Sequence, residues 1–140
     1  MNNALGVLGL AKKAGLLEIG EESVNAASKK GKAWLILSAS DASDASKRHA
    51  GSYADYGGCD WVLLEFTKNE LAAVIGRGSP GMIAITDAGL ARSFILKLGK
   101  PELDPIAERL SENIAAQLRR KQKSAEYKRN NRTGKGRTEK

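Results

Sequence analysis

The sequence predicts an α/β protein arranged as a three-layer α/β/α sandwich. Short apolar runs alternate along the chain with segments of helical periodicity, and Gly, Ser or Asp residues separate them. The runs 33–37 and 82–85 are almost entirely apolar, which is typical of strands covered on both faces. Because 140 residues suit one domain with a modest core, a single sandwich is expected. The pattern alone leaves the strand order open.

Each element has a local signal. Leu5, Leu8 and Ala11 give the first helix its apolar face. Glycine ends it, and glycine also opens the second helix after a short strand. Hydroxyl and carboxylate residues suited to capping precede the remaining helices of the domain. In chain order we expect helices over 2–14 and 20–30, one capped by Asp41 or Ser43 and running to about Tyr56, one capped by Thr67 with Glu70, and one capped by Asp87, with strands over 16–19, 33–37, 60–66 and 82–85.

A boundary is expected at Gly99-Lys100-Pro101, so that residues 1–99 form the α/β/α domain and 100–123 an amphipathic extension. Asp104 and Pro105 suit a helix start. An apolar stripe then predicts a helix to about Lys123, docked on the domain by default, with a dimer or a partner surface as the alternative. A monomer is the favoured state. From Ser124 to residue 140 the tail is polar and basic, and we expect it to be disordered when unbound. The stripe consists of Leu103, Ile106, Leu110, Ile114 and Leu118.

The net charge of +7 belongs to the C-terminal tail. Residues 1–116 carry 13 Lys and Arg against 14 Asp and Glu, a net of −1, whereas residues 117–140 carry 10 against 2, a net of +8. Such a tail favours contact with nucleic acid or another polyanion, although a solvated, solubilising tail is the simpler alternative. The candidate phosphate anchors are Arg119, Arg120, Lys121, Lys123, Lys128, Arg129 and Arg132.

Composition and motifs argue against several other classes. No apolar run approaches a membrane span, and neither a secretory signal nor a disulfide is expected, which fits a cytoplasmic protein. His49 and Cys59 are the only residues of their types and make neither a metal site nor an oriented nucleophile–base pair. Phosphate-loop and dinucleotide fingerprints are missing. We therefore expect no enzyme, no metal and no cofactor.

Two glycine-containing segments are the candidate binding elements. In the run 16–25 a short strand ends at Gly20 and a helix begins at once, which leaves unpaired backbone N–H groups and the positive helix end available to a phosphate. The second segment is the loop 76–81, Gly-Arg-Gly-Ser-Pro-Gly. Without further support, a tight turn and a plain connector would explain both segments.

Read in order, these segments resemble a family of small ribosomal and kink-turn RNA-binding proteins. The matching residues are the Gly20 turn, the basic run from Lys29 to Lys32, the corner 38–43, Glu70-Leu71, the loop 76–81 and the stretch 82–91. The family is typified by the archaeal large-subunit protein L seven Ae and the eukaryotic L thirty e. The bacterial YlxQ-like branch is nearest, and the likeness covers about residues 4 to 98.

The resemblance implies a mixed sheet of about four strands with helices on both faces, and two segments that lie side by side and grip a kinked RNA. A kink widens the groove, which makes base edges readable. Structured RNA, ribosomal or other, is the expected ligand, and the ribosome is a possible partner. The site residues that it implies are Gly20, Glu21, Glu22, Ser23, Asn25, Lys29, Lys30, Lys32, Asp41, Arg77, Gly78, Ser79, Pro80, Gly81 and Met82.

The chain departs from the family pattern at the positions that read the kink. Strong kink-turn binders carry Asn-Glu and, three residues after the Glu, a lysine; the aligned residues here are Glu22, Ser23 and Ala26. A carboxylate cannot donate to the guanine acceptors N7 and O6. Ser43 stands where some members place a glutamate. RNA binding with altered kink-turn specificity is the resulting expectation, with a protein-interaction adaptor of the same fold as the alternative.

Overall fold

The computed structural model describes residues 3–76 and 80–134, and the side chains of that range as far as residue 124. Six helices and four strands alternate in it. The helices are α1 (Asn3–Lys13), α2 (Glu21–Lys29), α3 (Asp44–Gly57), α4 (Lys68–Ile75), α5 (Ala88–Leu98) and α6 (Asp104–Gly134), and the strands are β1 (Leu17–Ile19), β2 (Leu35–Ser38), β3 (Asp60–Leu63) and β4 (Met82–Ile85).

The four strands form one mixed sheet in the order β1-β4-β2-β3. Strand β2 pairs parallel to β3 and antiparallel to β4, and β1 pairs antiparallel to β4. Strands β1, β2 and β3 therefore run in one direction and β4 runs against them. This confirms the predicted fold class, and it supplies the strand order that the pattern left open.

Both faces of the sheet are covered. Leu35 and Leu37 of β2 point into a large core formed with α1, α4, α5 and α6, whereas Ile36 points into a smaller core formed with α2 and α3. All four residues of β2 and all four of β4 are buried. Because neighbouring strand residues face opposite sides, two helical layers are needed to keep these strands from water.

Helix α6 docks on the domain through residues of its first half. Ala107 and Leu110 are buried in the larger core, Ile106 packs against it, and Leu118 is 55% exposed. The predicted stripe thus loses its cover towards its C-terminal end. From Leu118 the described side chains of α6 are exposed, although Arg120, Lys121 and Ser124 still line a groove with Trp34.

Helix α6 also continues to Gly134, where an end near Lys123 and disorder from Ser124 were expected. The physical reason is local: residues 119–130 are mostly Arg, Lys, Gln, Ala and Glu, which favour helix, and no Gly or Pro interrupts them. Extending an existing helix adds one bond for each residue fixed, whereas starting one is costly. Residues 135–140 of the expected tail lie outside the described residues.

The predicted cap of α4 is confirmed as a reciprocal capping box. The Thr67 hydroxyl accepts from the Glu70 N–H at 3.2 Å, and the Glu70 carboxylate accepts from the Thr67 N–H at 2.9 Å. The Ser43 side chain caps α3 by accepting from the Ser46 N–H, and the Asp87 side chain caps α5 by accepting from the Leu90 N–H. These contacts fix where three helices begin at the sheet.

We expect Thr67→Ala to lower the free energy of unfolding by about 1 kcal/mol, because the Glu70 N–H loses its acceptor. Urea unfolding followed by circular dichroism measures this. Ser52→Ala, at an exposed position inside α3, is the matched control and should stay within about 0.5 kcal/mol of the parent. Equal midpoints for the two variants would contradict the role of the cap.

Candidate nucleic-acid interface

Three helix N-termini meet at one edge of the sheet. Strands β1, β2 and β3 end there at Ile19, Ser38 and Leu63, and α2, α3 and α4 follow them. Strand β4 begins at the same edge, since Met82 pairs with Ser38. We call this edge the Gly20 end. Helix N-termini carry partial positive charge, so the topology gathers three of them where an anion can approach.

The Gly20 turn and the loop before β4 are joined by a backbone hydrogen bond. The Gly20 N–H donates to the Met82 carbonyl at 2.9 Å, and the Gly20 carbonyl accepts the first helical bond from Val24. Gly20 has φ 94° and ψ 158°, and no side chain caps α2. The N–H groups of the first turn of α2 therefore remain free of a side-chain acceptor at this end.

The polar corner after β2 ties the other elements to the same place. The Asp41 carboxylate accepts from the Lys68 N–H at 2.8 Å, and the Ala39 N–H donates to the Gly81 carbonyl at 3.0 Å. Ser43 caps α3 by accepting from the Ser46 N–H. Asp41 is exposed, yet its observed contact is a structural one that joins the corner to α4.

The predicted loop residues fall into three groups. Arg77, Gly78 and Ser79 lie outside the described residues. Pro80 is buried, and Gly81 lies beside Ala42, Ser46 and Lys68. Met82 is 1% exposed and belongs to the smaller core, so its side chain does not reach the surface where a nucleotide would pack. The sequence alone did not reveal this, because an apolar residue at a loop end suits either a surface or a core role.

Glu21 and Asn25 face α3 and are held by its side chains. The Glu21 carboxylate accepts from the Tyr53 hydroxyl at 3.1 Å and pairs with the His49 imidazole, and the Tyr56 hydroxyl donates to the Asn25 side-chain oxygen. Partial burial and the Glu21 hydrogen bond raise the pKa of the Tyr53 phenol. These partners were not predicted, although the spacing of 49, 53 and 56 on one helix was a usable signal.

Glu22, Ser23 and Ala26 form the outward face of α2. Glu22 and Ala26 are exposed and Ser23 is half-buried, so these three positions at which the chain departs from the family pattern are accessible. Ser23 and Ala26 line a shallow cavity of about 180 Å³ with Lys30 and Lys32. None of the three makes a side-chain hydrogen bond within the described part of the chain.

The predicted basic residues lie away from the Gly20 turn itself, although Lys30 and Lys32 share a cavity with Ser23 and Ala26. Lys29 ends α2 and lies roughly 12 Å along the helix axis from Glu21, and Lys30 and Lys32 follow it. We call the edge where β1, β2 and β3 begin, and where β4 ends, the Trp34 end. Arg120 and Lys121 line a groove with Trp34 and therefore lie at this second edge as well. Arg119 and Lys123 are exposed beside them, while the side chains of Lys128, Arg129 and Arg132 lie outside those described.

The two ends of the sheet thus differ in side-chain charge. The Gly20 end carries a series of carboxylates, partly offset by Lys47, Lys68 and Lys100. Helix ends and backbone N–H groups add positive potential there, roughly half an elementary charge for each helix, to that of these lysines. The carboxylates at this end include those of Glu21, Glu22, Asp41, Asp44, Glu65, Glu70 and Glu102.

The described residues bring together no recognisable catalytic set. No group of three or more His, Cys, Asp or Glu side chains within 3–76 and 80–124 is placed to hold a metal ion. His49 contacts Glu21, while Cys59 follows the other end of α3, so they do not form a pair. Burial raises the pKa of the Cys59 thiol to about 11, with a further contribution from Asp60, and this disfavours a nucleophilic thiolate. None of the described helices is long and apolar enough to cross a membrane.

The arrangement defines a class by its fold, that of a small α/β/α protein with a four-stranded mixed sheet and three helix starts gathered at one edge. No family model and no curated protein matches the chain by sequence.

Two solved structures carry the comparison. A protein of unknown function from Bacillus halodurans is 26% identical with a TM-score of 0.66, and the match covers 71% of this chain and 100% of that one. The 15.5 kD RNA-binding protein of Giardia lamblia is 19% identical with a TM-score of 0.56, over 70% of this chain and 83% of that one. The second likeness shows the fold that the resemblance implied.

Gly20→Ala should destabilise the protein by about 1–3 kcal/mol, because φ 94° with ψ 158° is a region that residues with a Cβ rarely adopt. No atom lies within 4 Å of the added Cβ, so the cost would come from the backbone alone. Thermal or urea unfolding measures the difference.

Gly6→Ala is the matched control for that variant. Gly6 lies inside α1 with open space around its Cβ position, so the same substitution should stabilise by about 0.5–1 kcal/mol. If Gly20→Ala proved as stable as Gly6→Ala, the turn would not depend on glycine.

Proposed function

We propose that this chain is a non-enzymatic protein that binds structured RNA through the Gly20 end, with the basic part of α6 as a phosphate anchor. The contact surface would consist of the first turn of α2, the corner 38–43 and the loop that precedes Met82. Structured RNA in the cytoplasm, ribosomal or other, is the expected ligand class.

The observation that carries the proposal is the bond from the Gly20 N–H to the Met82 carbonyl. It joins the two segments that the family resemblance assigns to RNA, and it does so at the edge where three helix N-termini meet. An RNA-binding protein with the same fold supports the assignment. Backbone N–H groups at such an edge suit phosphate oxygens.

The side chains at this edge argue for altered rather than standard kink-turn recognition. Glu22 stands where an asparagine amide would donate, and ionised carboxylates accept hydrogen bonds only. Asn25 is engaged with Tyr56, and Glu21 with His49 and Tyr53, so neither is free to read a base without releasing its partner. Shape and backbone contacts would then carry more of the recognition than base edges.

A charge swap at Ala26 tests whether α2 faces RNA. Ala26 is exposed on the outward face of α2, so Ala26→Lys should tighten binding and Ala26→Glu should weaken it. Each change should shift the slope of log affinity against log salt by about one, because one phosphate contact is gained or opposed. Fluorescence anisotropy with a kink-turn RNA in full-length protein gives both quantities.

The same pair of substitutions at Ala73, an exposed position on α4, is the control and should move affinity far less. Should Ala26 and Ala73 respond equally, the effect would be one of net charge, and the Gly20 end would not be the binding surface.

Kink-turn specificity has a separate test. The variant Glu22→Asn, Ser23→Glu, Ala26→Lys installs the family pattern at three accessible positions, and it should increase the preference for a kinked over an unkinked duplex by about tenfold or more, since a good base contact is worth about 1–3 kcal/mol. A control with the same charge change is Glu102→Gln, Ser52→Glu, Ala73→Lys, all at exposed positions. An unchanged preference in the first variant would place the reader elsewhere.

The alternative function is that of a protein-interaction adaptor, and one observation favours it. Strand β3 is at the edge of the sheet, its Leu63 is 50% exposed, and a groove of about 310 Å³ lined by Phe66, Leu98 and Leu103 lies beside it. An adaptor would purify free of nucleic acid and would show no RNA affinity in the Ala26 series. The RNA proposal requires the opposite result.

A further inference from the structure

We infer that the Trp34 end is a second contact surface, which binds a single-stranded segment of RNA by stacking a base on Trp34 and holding phosphates with the surrounding lysines. This inference rests on the proposed function, because it assigns a further surface to the same class of ligand. It concerns the opposite edge of the sheet from the Gly20 end.

The topology brings cations to this edge from three separate parts of the chain. Helix α1 ends there at Lys12 and Lys13, and helix α2 ends there at Lys29, followed by Lys30 and Lys32. Helix α6 then passes Trp34 with Arg120 and Lys121. Lysines at helix C-termini also complement the helix dipole, which accounts for those at the ends of α1 and α2. It does not account for the position of α6, which brings Arg120 and Lys121 to the same edge.

These cations are not neutralised within the described part of the chain. The ion pairs found there join Lys100 to Glu65, Arg109 to Asp60 and His49 to Glu21, so Arg109 beside Trp34 is paired but none of the lysines named above, nor Arg120, is. Of the acidic residues near this edge, Asp60 is held by Arg109 and Asp87 caps α5 through the Leu90 N–H. Glu18 lines a cavity with Lys30 and Lys32, and Asp55 lies in the last turn of α3, so the cations outnumber the carboxylates that remain without an ion pair. The edge therefore presents unpaired positive charge, which suits a phosphate backbone.

Trp34 provides a second and different kind of contact. Its half-buried indole lines a groove of about 420 Å³ with Thr86, Asp87, Gln117, Arg120 and Lys121, and an adjoining one of about 220 Å³ with Asn113. The indole makes no hydrogen bond with the described residues. An aromatic surface between cationic side chains is the arrangement that binds single strands, since bases stack on the ring while the cations follow the backbone.

This chemistry favours a single strand over the other polyanions. In a duplex the bases are already stacked on one another, so the indole would gain nothing from it. A polyanion without bases would use the lysines but not Trp34. An RNA that contacts both edges would place its folded part at the Gly20 end and an unpaired extension at the Trp34 end.

The test follows Trp34 emission in full-length protein. Trp61→Phe leaves Trp34 as the single tryptophan, and an oligouridine of about ten nucleotides should quench its emission strongly, because a single strand that spans one such groove covers several bases. The added change Lys32→Gln, Lys121→Gln should weaken binding and lower the salt slope by about 1.4, the value for two single-strand phosphate contacts. The control variant Arg48→Gln, Lys97→Gln removes the same charge from exposed positions elsewhere. It should leave the oligouridine affinity and the salt slope nearly unchanged.

Because Trp61→Phe removes a hydrogen bond to Ser38, a second measurement keeps all other residues in place. Trp34→Leu should weaken oligouridine binding by at least about fivefold, and Trp34→Phe should retain most of it, since either aromatic ring can stack. Equal losses in the two variants, after correction for any unfolded fraction, would overturn stacking.

The outcomes separate the two proposals. If the kink-turn RNA binds and responds at Ala26 but oligouridine leaves Trp34 emission unchanged, the Trp34 end is not an RNA surface and the proposed function stands. Equal quenching by heparin, which has no bases, would also overturn the inference. If neither RNA binds, both proposals fail.

Discussion

The burial of β2 and β4 on both faces is the constraint on which the rest of the structure depends. Every residue of these two central strands is inside, so each face needs its own helical layer. Parallel strands β2 and β3 require a crossover, which α3 provides, and β1 reaches the same direction through its antiparallel pairing with β4. Three strands therefore end, and three helices begin, at one edge of the sheet. The functional geometry follows from this arrangement and not from any single motif.

The same constraint gives the two ends of the domain different side-chain charge. Helices α2, α3 and α4 carry acidic residues in their first turns, and α1 and α2 end in lysines, which complements the helix dipole. When several helices share a direction, these local preferences add, so the Gly20 end becomes rich in carboxylates and the Trp34 end rich in cations. An RNA ligand would then meet two different chemistries. Backbone N–H groups and shape would act at one edge, and phosphate attraction with an aromatic surface would act at the other.

Features with a local cause could be predicted from the sequence. The Thr67–Glu70 box, the caps by Ser43 and Asp87, and the strand over 82–85 each depend on a few neighbouring residues. Features that depend on tertiary packing could not be predicted from the sequence. The strand order, the burial of Met82, the partners of Glu21 on α3 and the distance between Lys29 and the Gly20 turn all require the assembled sheet. The predicted end of α6 near Lys123 was wrong for a third reason, because the polar composition suggested disorder although the residues favour helix.

Helix α6 runs from near the Gly20 end of the sheet to the Trp34 end. This position affects how RNA affinity and specificity would be divided between the two ends. It follows the Pro101–Leu103 turn near the end of β3, where Lys100 pairs with Glu65, and it reaches Trp34 at the start of β2. Ala107 and Leu110 belong to the core, so α6 is part of the domain and not an appendage that can be removed to isolate the tail. The backbone of α6 continues beyond Leu118 to Gly134, and its basic residues begin beside the Trp34 end. On the proposed function, a phosphate anchor on this helix would restrict which RNA shapes can reach the Gly20 end at the same time. In that way charge that cannot read a base would still contribute to selection by shape.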